Sequence, residues 1–330
     1  MLKSGQFWAV LSPCLESLVT AASIVTGMTA RLSIVLTTCA ALCVATAVLA
    51  QTAPPPATEI FLAPMRLTPT APTMGPARVA SENPKGYDNQ PYFGSDGRSL
   101  LFTSNRDGKQ TDIYFVELQT RQIRQFTHTP ESEYSPTVML DDAGVSTIRV
   151  EADGTQRVWQ FAGDGAAPTL ALRDVKPAGY HAWVDAGRLA VYVLGTPATL
   201  QIADVKGGAG RVVATDIGRA VLRRPAVAGR PGGSISFVQR EGDGWMVKEW
   251  LSATGAILPI VAALPGSTDR DAAWAPDGTL FMTKGREVHW WRPGQEGWTL
   301  LADPGIGALT RLAVSPDGRW MALVAAETTP

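Results

Sequence analysis

Ser95-Asp96-Gly97-Arg98 is a tight turn between two apolar runs, and the signal returns along the chain. It reappears as Asp142-Ala143-Gly144, Asp185-Ala186-Gly187-Arg188 and Gly232-Gly233, then as Pro276-Asp277-Gly278-Thr279 and Pro316-Asp317-Gly318-Arg319. Its glycines lie roughly 40 to 47 residues apart, the period of a propeller blade. An Asp-Gly pair between alternating apolar residues marks a hairpin, because a type I′ turn needs positive φ and glycine adopts it at little cost. Six such hairpins with no long helical pattern between them predict an all-β chain folded as a six-bladed β-propeller.

Period-two patterning divides each repeat into four strands, a to d. In the first complete blade these fall at 90–94, 99–104, 112–118 and 122–127. In the fourth, strand a is expected at 225–228, behind a loop Leu222-Arg223-Arg224. The sixth repeat supplies only strands at 311–315 and 319–325 before the chain ends at Pro330. Its other half is expected at the opposite end of the chain. Glu59-Ile60-Phe61-Leu62-Ala63 matches strand c of the first blade, Asp112-Ile113-Tyr114-Phe115-Val116, and 77–81 stands where strand d belongs. Two strands from each end then complete the last blade and seal edges that would otherwise invite aggregation. The alternative is a disordered leader over 59–82. Aromatic residues from Phe102 to Trp320 are expected between neighbouring blades.

The chain has 330 residues, enough to bury a large core without disulfides or metals, and is 45% hydrophobic. A formal net charge of −1 gives no reason to expect nucleic acid or an anionic membrane as partner. Residues 32–50 carry no charge, follow Arg31 and end in Val48-Leu49-Ala50, the pattern of a secretory signal with a mature start near Gln51. An uncleaved anchor is the alternative, since such a length spans a bilayer. Residues 1–27 look like an upstream extension, 51–58 a Pro-rich linker, and 59–330 one propeller domain. All three cysteines, Cys14, Cys39 and Cys43, precede the expected cleavage point. The mature chain is therefore cysteine-free, as suits a periplasmic or secreted protein, and is expected to be a monomer with no stable membrane insertion.

The repeats resemble the TolB-like propeller family, whose WD-type repeats occur in periplasmic TolB and in the propeller domains of prolyl-oligopeptidase-like peptidases. The resemblance is carried by Asn89-Gln90-Pro91-Tyr92-Phe93-Gly94-Ser95-Asp96-Gly97, by Leu101-Phe102-Thr103-Ser104-Asn105-Arg106-Asp107-Gly108 and by Thr111-Asp112-Ile113-Tyr114. Trp274-Ala275-Pro276-Asp277-Gly278 and Val314-Ser315-Pro316-Asp317-Gly318 repeat its core. It extends over about 59–325 and concerns the propeller alone, without the α/β domain that precedes it in TolB. No G-x-S-x-G elbow of the peptidases occurs.

Loops from strand d of one blade to strand a of the next open on one face of a propeller. Here they carry Asp88, Glu133 and Tyr134, Tyr180 and His181, Arg223 and Arg224, Asp271, and Arg311. The ends of strands b add Arg106, Arg149 and Glu151 to that face. Together they predict a polar channel mouth whose arginines hold carboxylates or a peptide terminus. The competing expectation is ordinary loop charge, salt-bridged between blades. The three histidines fall in different blades, so neither a metal site nor a cofactor is expected. The function expected is non-enzymatic binding of an envelope protein or peptide. The alternatives are a receptor for a small anionic ligand and a hydrolase or lyase using His181 with Glu133 or Asp271.

Overall fold

The computed structural model describes residues 55–140, 142–229 and 231–326. The apolar stretch 32–50 lies outside them. The described residues contain 25 strands and no helix.

β1 (Thr58–Arg66), β2 (Thr73–Met74) and β3 (Arg78–Val79) come first. Five antiparallel four-stranded meanders follow. Blade 1 is β4 (Asp88–Phe93), β5 (Ser99–Ser104), β6 (Asp112–Glu117) and β7 (Ile123–Gln125). Blade 2 is β8 (Ser132–Val138), β9 (Gly144–Val150), β10 (Gln156–Ala162) and β11 (Thr169–Leu170). Blade 3 is β12 (Ala178–Asp185), β13 (Arg188–Val193), β14 (Thr199–Asp204) and β15 (Arg211–Thr215). Blade 4 is β16 (Ile217–Arg223), β17 (Ile235–Glu241), β18 (Gly244–Trp250) and β19 (Ile257–Ala262). Blade 5 is β20 (Ala272–Trp274), β21 (Leu280–Lys284), β22 (Glu287–Trp291) and β23 (Thr299–Ala302).

β24 (Leu309–Val314) and β25 (Trp320–Ala326) are completed by the N-terminal strands. β1 runs antiparallel along β25 from Thr58 opposite Ala326 to Pro64 opposite Trp320, and both β2 and β3 pair with its other edge. The two chain ends therefore share blade 6. The inner strands β4, β8, β12, β16, β20 and β24 each touch the next, and β24 returns to β4, so the ring is closed.

Strand alternation builds the core. The inner and middle strands sit between two blades and bury both faces, while the outermost strands are largely exposed. In β25, Met321, Leu323 and Ala325 pack toward blade 5, while Ala322 and Val324 pack toward blade 1. Six apolar clusters result, one at each junction between blades. The large aromatics lie in these clusters, among them Trp183, Phe237, Trp250 and Trp291.

The hairpin turns differ from expectation in type. The Gly97, Gly278 and Gly318 amides donate to the carbonyls three residues back, Gly94, Ala275 and Ser315. The glycine alone takes positive φ, +64°, +85° and +70°. Type I′ needs positive φ at both central residues, which Pro276 and Pro316 forbid. The aspartate serves the turn instead: Asp96, Asp277 and Asp317 accept the amides two residues on at 2.8 to 3.0 Å.

Blade 4 departs most. Its inner strand is Ile217–Arg223, not 225–228, because 211–223 runs through with only one short break for the turn between blades 3 and 4. The Gly232-Gly233 signal belongs to a longer connection, closed at its base by the Arg224 amide donating to the Ser234 carbonyl at 2.9 Å.

Candidate functional site

The loop-face ends of the inner strands are irregular in a repeated way. Register shifts interrupt β4 between Asn89 and Tyr92, β8 between Tyr134 and Thr137, and β12 between Ala178 and Tyr180. Others fall between Ile217 and Val221 and between Leu309 and Arg311. In blade 5, Asp269 and Arg270 take positive φ just before β20. Bulges re-aim side chains at the rims of closed sheets. Here they ring the axis with Gln90, Ser135, Tyr180, Arg219, Asp271 and Arg311, all lining the central cavity.

Blades 3 and 6 face each other across the ring, and a crossbar joins them. Arg311 Nη2 donates to the Tyr180 hydroxyl at 2.7 Å, with the guanidinium carbon 5.0 Å from the ring centre. Arg219 completes this end. Its Nη2 donates to the Thr310 carbonyl at 2.5 Å and lies 3.0 Å from Asp269, while its buried Nε has no partner. Asp271 accepts the Leu312 amide at 3.1 Å. Tyr87 and Tyr134 stand beside the crossbar.

The electrostatics follow from this geometry. Burial pushes the Tyr180 phenol up, but Arg311 and Arg219 outweigh it and leave it below the ordinary tyrosine range. Tyr87 is raised, because burial exceeds the opposing effect of Arg311. Burial alone would weaken the Arg311 cation, yet Tyr180, Asp271 and Tyr87 hold its pKa above the usual value.

The cavity, about 490 Å³, follows the channel from the crossbar to the hairpin face. There Tyr92, Leu140 and Arg223 form its rim, Tyr92 being 39% and Leu140 44% exposed. This exposed rim thus lies opposite the face on which the loops gather. Its walls are mostly apolar side chains, among them Pro91, Val138, Trp183, Val221 and Trp274.

Of the residues expected at the loop-face mouth, Tyr180, Asp271 and Arg311 meet at the axis, with Tyr134 beside them. Arg219 is the functional candidate that sequence reasoning missed. It was hidden by the misplaced inner strand of blade 4. The same shift moves Arg223 and Arg224 to the opposite end of the channel, a correction to their expected loop position. Arg223 stands at the hairpin-face rim. Arg224 is buried, 2.9 Å from Glu249, with its guanidinium 4.4 Å from the Trp274 ring centre.

The remaining residues are engaged between blades or within them. Asp88 accepts from Arg106 Nη2 at 2.9 Å and from Asn83 at 3.0 Å, and Arg106 also donates to the Ser81 carbonyl of the closing segment. Arg149 pairs with Glu131, lies 3.6 Å from Glu133 and stacks on Trp159. Glu151 pairs with Arg157 and accepts the Trp159 indole N–H at 2.8 Å. His181 lines the cavity wall but is buried. Its Nε2 lies 2.7 Å from Ser146 Oγ, and burial pulls its pKa down to about 3. Among the described residues no hydrogen bond joins it to Glu133 or Asp271, and no cluster of three or more metal-ligating side chains occurs.

Glu133 carries a measurable consequence. Burial pushes its carboxyl up to about 8, the Thr129 and Thr127 hydroxyls opposing and the Asp112 charge adding to the rise. An unfolded glutamate ionises near about 4.3. Between these values the unfolded chain has released a proton that the folded chain keeps, so rising pH favours unfolding. The Glu133 contribution falls from about pH 4.5 to about pH 8. Buried His181, pulled down to about 3, acts in the opposite sense up to about pH 6.5. The net loss of stability is therefore expected between about pH 6.5 and about pH 8, and Glu133→Gln should flatten it there. Urea midpoints across this range test it; a wild-type profile already flat there refutes it.

No family model and no curated protein matches the chain. Solved structures do match in fold. A putative TolB from Agrobacterium tumefaciens superposes with a TM-score of 0.60 at 14% identity, covering 83% of this chain and 100% of that one. The fold is TolB-like. TolB from Acinetobacter baumannii gives 0.51 at 15% identity over 82% of this chain; the TolB-like propeller spans only 65% of that protein's length. A chain of a nidogen/laminin complex gives 0.52 at 10% identity, covering 82% of this chain and 100% of that one. At these identities the likeness to the TolB proteins is one of architecture, and function has to be argued from the channel.

Proposed function

We propose that this TolB-like propeller is an exported, non-enzymatic binding protein that holds a protein or peptide partner in its central channel. One observation carries this: the channel is crossed at one end by the Tyr180–Arg311 hydrogen bond and lined at the other by the exposed side chains of Tyr92 and Leu140. A closed ring crossed at one end can receive a segment of another chain along a preformed channel, which lowers the ordering cost of binding. The inner strands also turn their free edges toward the axis, offering backbone groups to an extended guest.

The titratable groups support binding over catalysis. A neutral, buried His181 is a poor general base at physiological pH. Asp271 is occupied by a backbone amide, and Glu133 is held by Thr127 and Thr129. Periplasmic location is supported by the signal-like 32–50 stretch. A second reading, a receptor for a small anionic ligand, is favoured by the cavity, whose volume of about 490 Å³ suits a small molecule.

Leu140→Arg places a bulky cation at the exposed rim without disturbing the core. Capture of envelope proteins on the immobilised variant should fall several-fold against wild type. Unchanged recovery of every partner would remove the channel from the reading.

A further inference from the structure

We propose that the crossed end of the channel is a carboxylate site, in which Arg219 and Arg311 together grip an acidic group that arrives along the channel from the hairpin face. This rests on the channel-binding function proposed above and names the chemistry that function recognises.

The guanidiniums are underused. Arg311 is 9% exposed and gives its one side-chain hydrogen bond to a phenol, with no carboxylate oxygen in ion-pair contact among the described residues. A guanidinium carries five N–H donors, so most of its capacity is unspent. Arg219 Nε is buried without a partner. Both arginines line the same cavity, beside the polar side chains of Gln90 and Ser135.

The nearby acids do not satisfy them. Asp271 directs Oδ2 to the Leu312 amide. Asp269 reaches Arg219 from the loop side, where it is 55% exposed on a segment at positive φ. It engages a terminal nitrogen of Arg219 and leaves Nε unpaired. An acidic group entering from the cavity would meet Arg219 and Arg311, with the Asp271 carboxylate turned to the Leu312 amide beside them, behind otherwise mostly uncharged walls. In that low-polarity setting planar forks favour a carboxylate, which can accept two parallel N–H bonds. The carboxylate can end a peptide or belong to a small organic acid; the chemistry at the arginines is the same.

Calorimetric titration of the purified chain at low salt tests this with four probes: acetyl-Gly-Ala-Gly-Ala as the free acid, the same peptide amidated, succinate and inorganic phosphate. Either carboxylate should bind, and amidation should weaken the peptide by about tenfold or more. Arg219→Met and Arg311→Lys should each cost about tenfold, while Arg223→Met at the rim should cost only about two-fold, the loss of a solvated charge. Succinate binding as tightly as the peptide identifies a small acid as the source. A clear preference for the peptide identifies a chain terminus.

The proposal is overturned if neither carboxylate binds, if phosphate alone binds, if the amide binds as tightly as the free acid, or if Arg219→Met leaves affinity intact. Circular dichroism establishes that Arg311→Lys and Arg219→Met are folded, and Arg219→Met provides a second arm that leaves the Tyr180–Arg311 hydrogen bond in place. Partner capture separates this failure from that of the broader function. Capture that is lost on Leu140→Arg but insensitive to both arginine changes keeps the channel and removes the carboxylate.

Discussion

Ile60→Asp should abolish cooperative folding. Ile60 is fully buried in β1, within the cluster that joins blade 6 to Phe93, Leu100 and Phe102 of blade 1. Truncating such a side chain costs about 2–5 kcal/mol. Introducing a carboxyl group there adds the cost of burying an ionisable group without an ionic partner, and the two together are comparable with the whole stability of a typical domain. The position also decides topology. β1 covers β25 along Thr58–Pro64, and its loss would leave blade 6 with two strands and a long free edge. The surrounding bonds fix the same seam: the Ile60 amide donates to Ser81 Oγ at 3.0 Å, and Arg106 donates to the Ser81 carbonyl at 2.9 Å. Val79→Asp is the control. Val79 pairs with Phe61 on the outer edge and is 40% exposed, so its change should cost less than about 1 kcal/mol. Size-exclusion chromatography with thermal unfolding gives the answer. A monomeric Ile60→Asp chain melting near the wild-type temperature would mean that the ring does not depend on its N-terminal strand.

What was legible follows from how local each signal is. The recurring Asp-Gly turns and period-two runs are written within single hairpins, so the blade count, most strands and the shared sixth blade could be read directly. The match of Glu59–Ala63 to Asp112–Val116 works because strand c meets the same surroundings in every blade. Blade 4 was less legible because its connection to β16 is short and its hairpin long, which reverses the usual spacing cues. That shift hid Arg219 and misplaced Arg223 and Arg224. The channel was least legible of all. Whether Tyr180 reaches Arg311 depends on residues 131 apart in sequence, brought together only by ring closure. His181 shows the same limit from the other side. Its loop position looked accessible, yet the alternation of β12 turns it with Trp183 onto Ser146.

The reassignment of Arg224 carries the second large effect. Arg224 and Glu249 are both about 5% exposed, and Ser234 Oγ donates to the same carboxylate oxygen at 3.0 Å. Burial pulls the guanidinium down to about 10, which leaves it cationic at neutral pH. Its stacking on Trp274 carries the ion pair across the junction from blade 4 to blade 5. Arg224→Ala removes the cation facing a buried carboxylate and empties the space over the indole. Breaking one half of such a pair costs about 3–5 kcal/mol, much of it the penalty left on the remaining charge. Arg224→Met with Glu249→Gln removes both charges and keeps most of the volume, so the double variant should be more stable than Arg224→Ala despite carrying two changes. Urea unfolding of the three proteins tests the ordering. Had Arg224 been a solvated residue of the loop face, its removal would cost less than about 1 kcal/mol and Glu249→Gln would not rescue it. An Arg224→Ala midpoint indistinguishable from wild type would therefore return Arg224 to the solvent and undo the strand assignment of blade 4.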